Sequence, residues 1–301
     1  MIPEFPKFKK LELSDRSRVE QITNKFPPHS DFNFISMWSW DTKGEVGVSC
    51  LYGNLVVKFT DYLTGDPFFS FLGENSVEDT INTLLTFSED KYKKSHLKYI
   101  SEDLIKLHVS KDVFDIQDDI ASHDYVYEVE HLANMHNWPK HSSGKNIRQF
   151  LKEFNDYNVK HFELADAPKK DCLDLFKRWA QNREATNSEL NELKAAERLF
   201  KSNISELKVV ALYLKDKIVG FTVYEIVATG YAVSHFAKAD KSHHKSIGDV
   251  LNWEEAKILS TQGVKYFNWE EDLGIEGLRK FKEKYKPAFL LKKYKVSRKK
   301  S

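Results

Sequence analysis

The stretch LKVVALYLKDKIVGFTVYEIVATGYAVSHFA, residues 207–237, decides the fold because it contains three consecutive strand patterns. β-Branched, aromatic and other apolar residues fill each run, and Lys215 and Asp216 provide a turn between the first two. Such short turns join antiparallel neighbours. The stretch therefore predicts an antiparallel sheet in the second half of the chain.

The residues on either side extend this sheet into an α/β pattern. Val159–Leu164 alternates as a strand does, and Asp166 and Pro168 open a helix after it. A helix over Gly248–Ser260 and a strand within KYFNWEEDL, residues 265–273, follow the sheet. The order predicts a mixed sheet covered by helices.

The first half of the chain repeats this order of elements. The corresponding predictions are a strand at Phe8–Leu13, a helix from Ser14 through Phe26, a hairpin in VGVSCLYGNLVVKF (46–59) with its turn at Gly53 and Asn54, a strand at Phe68–Leu72, a helix at Val77–Ser88, and KYISEDL (98–104). These elements recur in the same order at a spacing of about one domain. We therefore predict a duplicated fold, with a first copy over residues 1–120 and a second over 121–301. A single large α+β domain is the alternative.

Composition limits the possible functions. The chain has 301 residues, and 46 basic side chains stand against 45 acidic ones, so no overall basicity favours DNA binding. Residues 101–130 are acidic and residues 276–301 are basic, which fits either solvated segments or a polyanion site. Cys50 and Cys172 are the only cysteines, as expected in a reducing compartment. With no signal-peptide pattern and no transmembrane stretch in the sequence, a cytoplasmic location is expected.

Two longer stretches carry a resemblance to a known family. They are YVYEVEHLANMHNWPKHSSGKNIRQFLKEF (125–154) and FNWEEDLGIEGLRKFKEKYKPAFLLKKYKV (267–296), together with DFNFISMWSW (31–40) near the start. The chain resembles an uncharacterised bacterial family related to the C-terminal domain of phosphatidylglycerol lysyltransferases. The resemblance implies a tandem GNAT (acyl-CoA N-acyltransferase) fold, shared in outline with the Fem-type peptidyltransferases that take an aminoacyl group from tRNA. It does not imply lipid synthesis, because the membrane-spanning half of the lysyltransferases is not part of this sequence.

The turn KADKSHHKSIGDVL, residues 238–251, is the candidate donor site of the second copy. GNAT enzymes use Q/R-x-x-G-x-G/A here, so that backbone N–H groups at a helix start bind a pyrophosphate. The candidate cofactor-binding residues are His243, His244, Lys245, Ser246 and Gly248. Only Gly248 matches the pattern, so an ordinary basic turn is the alternative. Glu74, Glu78 and Asp79 at the matching point of the first copy would repel phosphate, which predicts that this copy is degenerate.

Two basic clusters are candidate sites for a substrate. The closing motif comprises residues 268–287. In it, Asp272 follows a strand, and Arg279 and Lys282 lie three residues apart on one helical face that can bind a phosphate or carboxylate. The alternative is a solvated helix paired with nearby acids. In SGKNIRQF, the residues Lys145, Asn146 and Arg148 mark another helix start, with a structural or an acceptor-binding role.

Other side chains have plainer interpretations. No metal site is predicted, because the adjacent His243 and His244 diverge and no further ligands lie near them in sequence. The aromatic residues of the DFNFISMWSW stretch look like a cofactor box but are expected to pack under the first sheet, namely Phe32, Phe34, Trp38 and Trp40.

Acyl transfer to an amine needs a base for the amine proton and donors for the developing oxyanion. Glu225 and Glu270 are the candidate bases and Tyr285 is the candidate acid, while a backbone N–H at a splayed sheet edge can serve the oxyanion. Motifs of hydrolases, NTPases and metalloproteases are absent from the sequence. The expected function is transfer of an aminoacyl or acyl group from aminoacyl-tRNA or acyl-CoA to a small polar or anionic acceptor. The alternative is a catalytically silent tandem GNAT module that binds an anionic metabolite or a protein partner.

Overall fold

The computed structural model describes residues 1–61, 64–181 and 187–299. Two compact units divide the chain. Unit 1 comprises Met1–Asp124, Glu271–Lys280 and Leu290–Ser301, and unit 2 comprises Tyr125–Glu270 and Phe281–Phe289. The boundary between a first copy of the fold over residues 1–120 and a second copy over residues 121–301 stays a prediction.

The elements of regular structure alternate along the chain. Up to residue 118 they are β1 (Lys9–Lys10), α1 (Arg16–Thr23), α2 (Phe34–Trp40), β2 (Gly47–Leu51), β3 (Asn54–Thr60), β4 (Pro67–Leu72), α3 (Val77–Tyr92), β5 (His96–Ser101), α4 (Glu102–His108) and β6 (Phe114–Asp118). After it come β7 (Asp124–Glu128), α5 (Val129–Ala133), α6 (Ser142–Glu153), β8 (Tyr157–Glu163), α7 (Lys169–Gln181), α8 (Asn187–Phe200), β9 (Lys208–Leu214), β10 (Lys217–Ala228), β11 (Tyr231–Ala239), α9 (Ile247–Thr261), β12 (Tyr266–Asn268), α10 (Glu276–Lys284), β13 (Phe289–Leu291) and β14 (Lys293–Arg298).

Unit 1 contains two antiparallel sheets, of order β1-β2-β3-β4 and β5-β14-β6. The β2–β3 hairpin turns at Tyr52 and Gly53, which both have positive φ, because Leu51 already pairs with Asn54. The turn therefore lies one residue earlier than predicted. Three of the four aromatic residues predicted to pack in the core are buried, Phe32, Phe34 and Trp38, whereas Trp40 remains partly exposed.

The second sheet of unit 1 joins the acidic segment to the basic C-terminal segment. β14 lies between β5 and β6 and pairs with both strands in antiparallel fashion. Lys295 Nζ lies 3.0 Å from Asp119 Oδ1, and Lys293 Nζ lies 2.7 Å from Asp124 Oδ1. The opposite charges of the two segments are thus partly matched inside one unit.

Unit 2 is built on a sheet of order β13-β7-β12-β11-β10-β9-β8, and the chain enters β13 at Phe289. β10 pairs antiparallel with β9 and β11, while β11 and β12 run parallel. Successive side chains of β10 point to opposite faces. Gly220 and its even-numbered neighbours lie on the face covered by α9, since a Cβ at Gly220 would meet Leu251 at 3.1 Å. Phe221, Val223 and Glu225 therefore lie on the opposite face.

Several predicted boundaries need correction. The first strand is only Lys9–Lys10, because Glu12 N donates to Asp15 Oδ2 at 3.1 Å and the chain turns into a 3-10 helix at Leu13–Asp15. The predicted helix from Ser14 is therefore α1, which begins at Arg16 and ends at Thr23 rather than at Phe26. α3 continues four residues past Ser88 and ends where Lys93 adopts a left-handed conformation. The predicted helix at Gly248–Ser260 is confirmed to within one residue at each end by α9.

Candidate functional site

The strands β11 and β12 separate after a short parallel pairing. They pair only over Tyr231–Val233 and Tyr266–Asn268. Beyond this point β11 stays with β10 as far as Ala239. The chain after β12 follows β7 instead, since Trp269 N donates to Tyr125 O at 2.9 Å and Tyr125 N donates to Glu270 O at 3.1 Å. Among the strands that the structure describes, none pairs with this edge of β11 along residues 234–239.

A bulge at this separation brings Glu225 next to His235. Val223 pairs with Phe236 and Tyr224 pairs with Ser234, so His235 is an extra residue in β11. His235 Nε2 lies 3.2 Å from Glu225 Oε1. Both side chains are at least 95% buried. A buried carboxylate beside an imidazole holds the ring in one orientation.

The same face of the sheet carries a buried cation. Lys238 pairs with Phe221, on the face that also holds Glu225. Its Nζ donates to Glu192 Oε1 at 2.6 Å and lies 4.5 and 4.4 Å from the ring centroids of Phe176 and Trp179. Lys238 therefore fixes α7 and α8 over the sheet beside the Glu225–His235 pair.

The predicted cofactor turn is closed by its own hydrogen bonds. Ser246 N donates to His244 Nδ1 at 3.2 Å, and Ile247 N donates to His244 O at 3.3 Å. His244 Nε2 lies 3.2 Å from Glu153 Oε2. His243 and Lys245 are exposed, and a Cβ added to Gly248 would meet Ala239 at an ordinary 3.7 Å. Cofactor binding by these residues stays a prediction.

Residues from the three predicted groups meet at Asp249, in the first turn of α9. Asn146 Nδ2 donates to Asp249 Oδ2 at 2.7 Å. Lys284 Nζ and Tyr285 Oη donate to Asp249 Oδ1 at 2.7 and 2.6 Å. The cofactor turn, the SGKNIRQF helix and the closing motif thus share one carboxylate, which sequence analysis did not single out.

The Asp249 contacts set the charge states of their partners. Burial would raise the pKa of Asp249, but the hydrogen bonds from Asn146, Lys284 and Tyr285 bring it below its ordinary value. Burial and the adjacent Asp249 charge raise the pKa of Tyr285 well above its usual range. The phenol therefore stays protonated and donates a hydrogen bond to Asp249. A catalytic acid role for Tyr285 stays a prediction.

Glu270 and Lys282 lie together just after β12, where residues 269 and 270 continue beside β7. Glu270 has a φ of 59°, and its N–H donates to Asn268 Oδ1 at 2.7 Å. Lys282 Nζ donates to the backbone oxygens of Trp269 and Glu270. Lys282 is buried and stabilises this turn through its ammonium group. The predicted roles of Glu270 as a base and of Lys282 in binding an anion stay predictions.

Four further predicted residues contact the backbone, are exposed or bind each other. Arg148 NH1 donates to His136 O at 2.5 Å and to Trp138 O at 3.3 Å, which holds the loop before α6 in place. Lys145 is exposed. Asp272 and Arg279 bind each other in unit 1.

Sequence reasoning missed His235 and Asp249. His235 reads as an outward residue of a regular strand, because a bulge leaves no mark on a period-2 pattern. Asp249 reads as an acid that favours a helix start through the dipole. The available signal was the position of Asp249 within the predicted cofactor turn, while the SGKNIRQF cluster and the closing motif that contact it are distant in sequence.

Two searches among the described residues concern metals and membranes. Across residues 1–61, 64–181 and 187–299, no group of three or more His, Cys, Asp or Glu side chains is placed to hold a metal ion. In the same part of the chain, no helix has the length and apolar character needed to span a bilayer.

Comparison with solved structures relates this architecture to known folds. A conserved protein of unknown function from Bacteroides thetaiotaomicron is 27% identical, with a TM-score of 0.81, over 99% of this chain and 100% of that one. L-PGS from Bacillus licheniformis is 15% identical, with a TM-score of 0.62, over 100% of this chain and 95% of that one. The C-terminal domain of a protein named as a lysylphosphatidylglycerol synthetase from Agrobacterium fabrum is 13% identical, with a TM-score of 0.61, over 95% and 92% of the two chains. The predicted GNAT-type fold with a mixed α/β architecture is confirmed.

Comparison of the sequence with family models gives the same relationship. No curated protein matches the chain significantly. The model of the phosphatidylglycerol lysyltransferase C-terminal family matches residues 27–297, which is most of the 301-residue chain. Because the match extends through both units and includes the strand separation and the closing motif, the chain belongs to the phosphatidylglycerol lysyltransferase C-terminal family.

Proposed function

We propose that this protein is an acyltransferase that moves an aminoacyl or acyl group from an activated donor to a small polar or anionic acceptor. The observation that carries the proposal is the Glu225–His235 pair, 3.2 Å apart and buried where β11 leaves β12. The family and the GNAT-type fold support the reaction class. The donor is an aminoacyl ester of tRNA or a thioester of coenzyme A, in the cytoplasmic location expected from the sequence.

The pair has the chemistry needed for transfer to an amine. The acceptor nitrogen attacks the donor carbonyl carbon, a C–N bond forms, and the C–O or C–S bond to the leaving group breaks. His235 accepts the proton of the attacking nitrogen and returns it to the leaving group, while Glu225 stabilises the imidazolium formed in between. A backbone N–H along the separated edge of β11 stabilises the oxyanion.

The test has two stages. Purified protein is first incubated with charged tRNA or acyl-CoA donors and extract metabolites, and products are detected by mass spectrometry. Glu225→Gln and His235→Gln are then compared with the wild type on the product found. Each is expected to lower kcat by about 10²–10⁴-fold, as for loss of a general base.

His161→Gln is the matched control, since His161 is an exposed residue of β8 whose Nε2 lies 3.0 Å from Tyr224 Oη. It is expected to leave kcat within about twofold. Full activity in folded Glu225→Gln and His235→Gln protein would rule out the pair as the base.

A binding module without catalysis is the second candidate, and the closed α9 turn favours it. The Ser246 and Ile247 N–H groups already have partners within the turn. If this candidate is right, calorimetry will show a metabolite or protein binding the chain, and no donor in the screen will be consumed.

A further inference from the structure

The chain's own residues close the N-terminus of α9. The aligned peptide dipoles of the 15-residue helix favour negative charge there. The hydrogen bonds to His244 take up the N–H groups of Ser246 and Ile247, which a phosphate at this position would need.

His244 is held firmly in this position. Its ring lies 5.7 and 5.5 Å from the rings of Phe150 and Phe154 on α6. Its other ring nitrogen, Nε2, lies 3.2 Å from Glu153 Oε2. Displacing His244 from the turn therefore disrupts contacts on both sides of the imidazole.

Asp249 supplies the negative charge. Its carboxylate is in the first turn of α9 and accepts from Asn146, Lys284 and Tyr285. Asn146 is the fifth residue of α6, so the same carboxylate also connects α9 to that helix. The set of donors is one that would suit a bound phosphate oxygen.

A buried hydroxyl group remains at the start of α9. Ser246 Oγ is completely buried and makes no hydrogen bond to the residues that the structure describes. Such a group is costly to bury without a partner. An anion at this helix N-terminus would accept a hydrogen bond from it.

We propose that His244 and Asp249 are specificity-determining residues that close the α9 N-terminus to phosphate and thereby exclude coenzyme A thioesters as donors. The inference rests on the proposed acyl transfer, because it selects aminoacyl-tRNA over coenzyme A thioesters as the donor class of that reaction. It concerns binding alone, so its test requires no turnover.

The test is calorimetric titration with inorganic pyrophosphate and with coenzyme A. Wild-type protein is expected to show no binding of either ligand at about 1 mM, a concentration at which even weak binding would be detected. The His244→Ala/Asp249→Asn double variant removes the imidazole that closes the turn and the negative charge of the carboxylate. It is expected to bind both ligands at least tenfold more tightly than the wild type. Glu254→Gln is the control, since Glu254 lies further along α9 and pairs with Tyr157 and Lys257.

His244→Ala alone provides a second variant, because it leaves the Asp249 contacts in place. It is expected to gain pyrophosphate binding, by less than the double variant does. The proposal is overturned if wild-type protein binds coenzyme A in competition with pyrophosphate, or if the folded variants gain no binding. Either result leaves the Glu225–His235 base untouched, whereas loss of that base would show only in kcat.

Discussion

Arg279 donates two hydrogen bonds to Asp272 in unit 1, from Nε to Oδ2 at 2.7 Å and from NH2 to Oδ1 at 3.0 Å. The carboxylate of Asp272 is completely buried, and its Oδ1 also accepts from Gly274 N at 2.7 Å. Gly274 has a φ of 74°, which glycine adopts without strain. The pair thus connects the start of α10 to the turn before it.

We expect Arg279→Ala to destabilise the protein by about 1.5–3 kcal/mol, because a buried carboxylate loses charge-assisted hydrogen bonds. Arg279→Lys should recover only part, since an ammonium cannot form the two-pronged contact. Urea unfolding measures both. Unchanged stability together with an at least tenfold loss of ligand binding would instead favour the predicted anion-binding role of Arg279.

Glu255 should make stability depend on pH. Burial raises the pKa of Glu255 from 4.5 to about 8. Between these values the unfolded chain releases the proton while the folded protein keeps it, so stability falls as pH rises through this window. The slope is about 1.4 kcal/mol per pH unit. Urea unfolding from pH 5 to pH 8 should show this slope reduced in Glu255→Gln and retained in Glu74→Gln, an exposed control. Parallel curves for all three proteins would contradict the assignment.

Lys293 should be the most costly buried charge to remove from unit 1. Its Nζ binds Asp31 and lies 2.7 Å from Asp124 Oδ1, with all three side chains at least 97% buried. Lys293→Met leaves the two carboxylates uncompensated and should cost about 3–5 kcal/mol. Asp31→Asn should cost less, because burial already raises the pKa of Asp31 well above its usual range despite Lys293.

Chemical denaturation of the two single variants and the double variant tests this order. The double variant Lys293→Met/Asp31→Asn should be more stable than Lys293→Met alone, since it retains one uncompensated carboxylate rather than two. Equal costs for Lys293→Met and Asp31→Asn would show that the ammonium is not what balances this cluster.

The two cysteines should react at different rates. Burial raises the pKa of the Cys172 thiol to about 12, so thiolate is scarce at neutral pH. Cys50 is partly exposed. Ellman's reagent should therefore modify one thiol in the native protein and the second only after unfolding. The Cys50→Ser variant should show no rapid phase, and a rapid phase in that variant would mean that Cys172 is accessible.

Local sequence patterns determined the strands β2, β3 and β9–β11 and the helix α9. The strand patterns of residues 207–237 and 46–59 became β9–β11 and the β2–β3 hairpin, because a period of two follows directly from backbone geometry. Helix α9 was predicted to within one residue at each end from spacing and Gly248. The duplicated order and the closing motif were enough to indicate the GNAT-type fold.

Tertiary structure decided the chemistry. The Glu225–His235 contact depends on one extra residue in β11, and bulges arise from strand pairing rather than from composition. Asp249 joins residues 103 and 36 positions away in sequence, and β14 pairs with β5 almost 200 residues earlier. Such contacts depend on the closure of long loops, whose entropic cost is met only when the whole unit packs. The sequence alone therefore specified the helices and strands with strong periodic patterns, and packing specified which side chains meet.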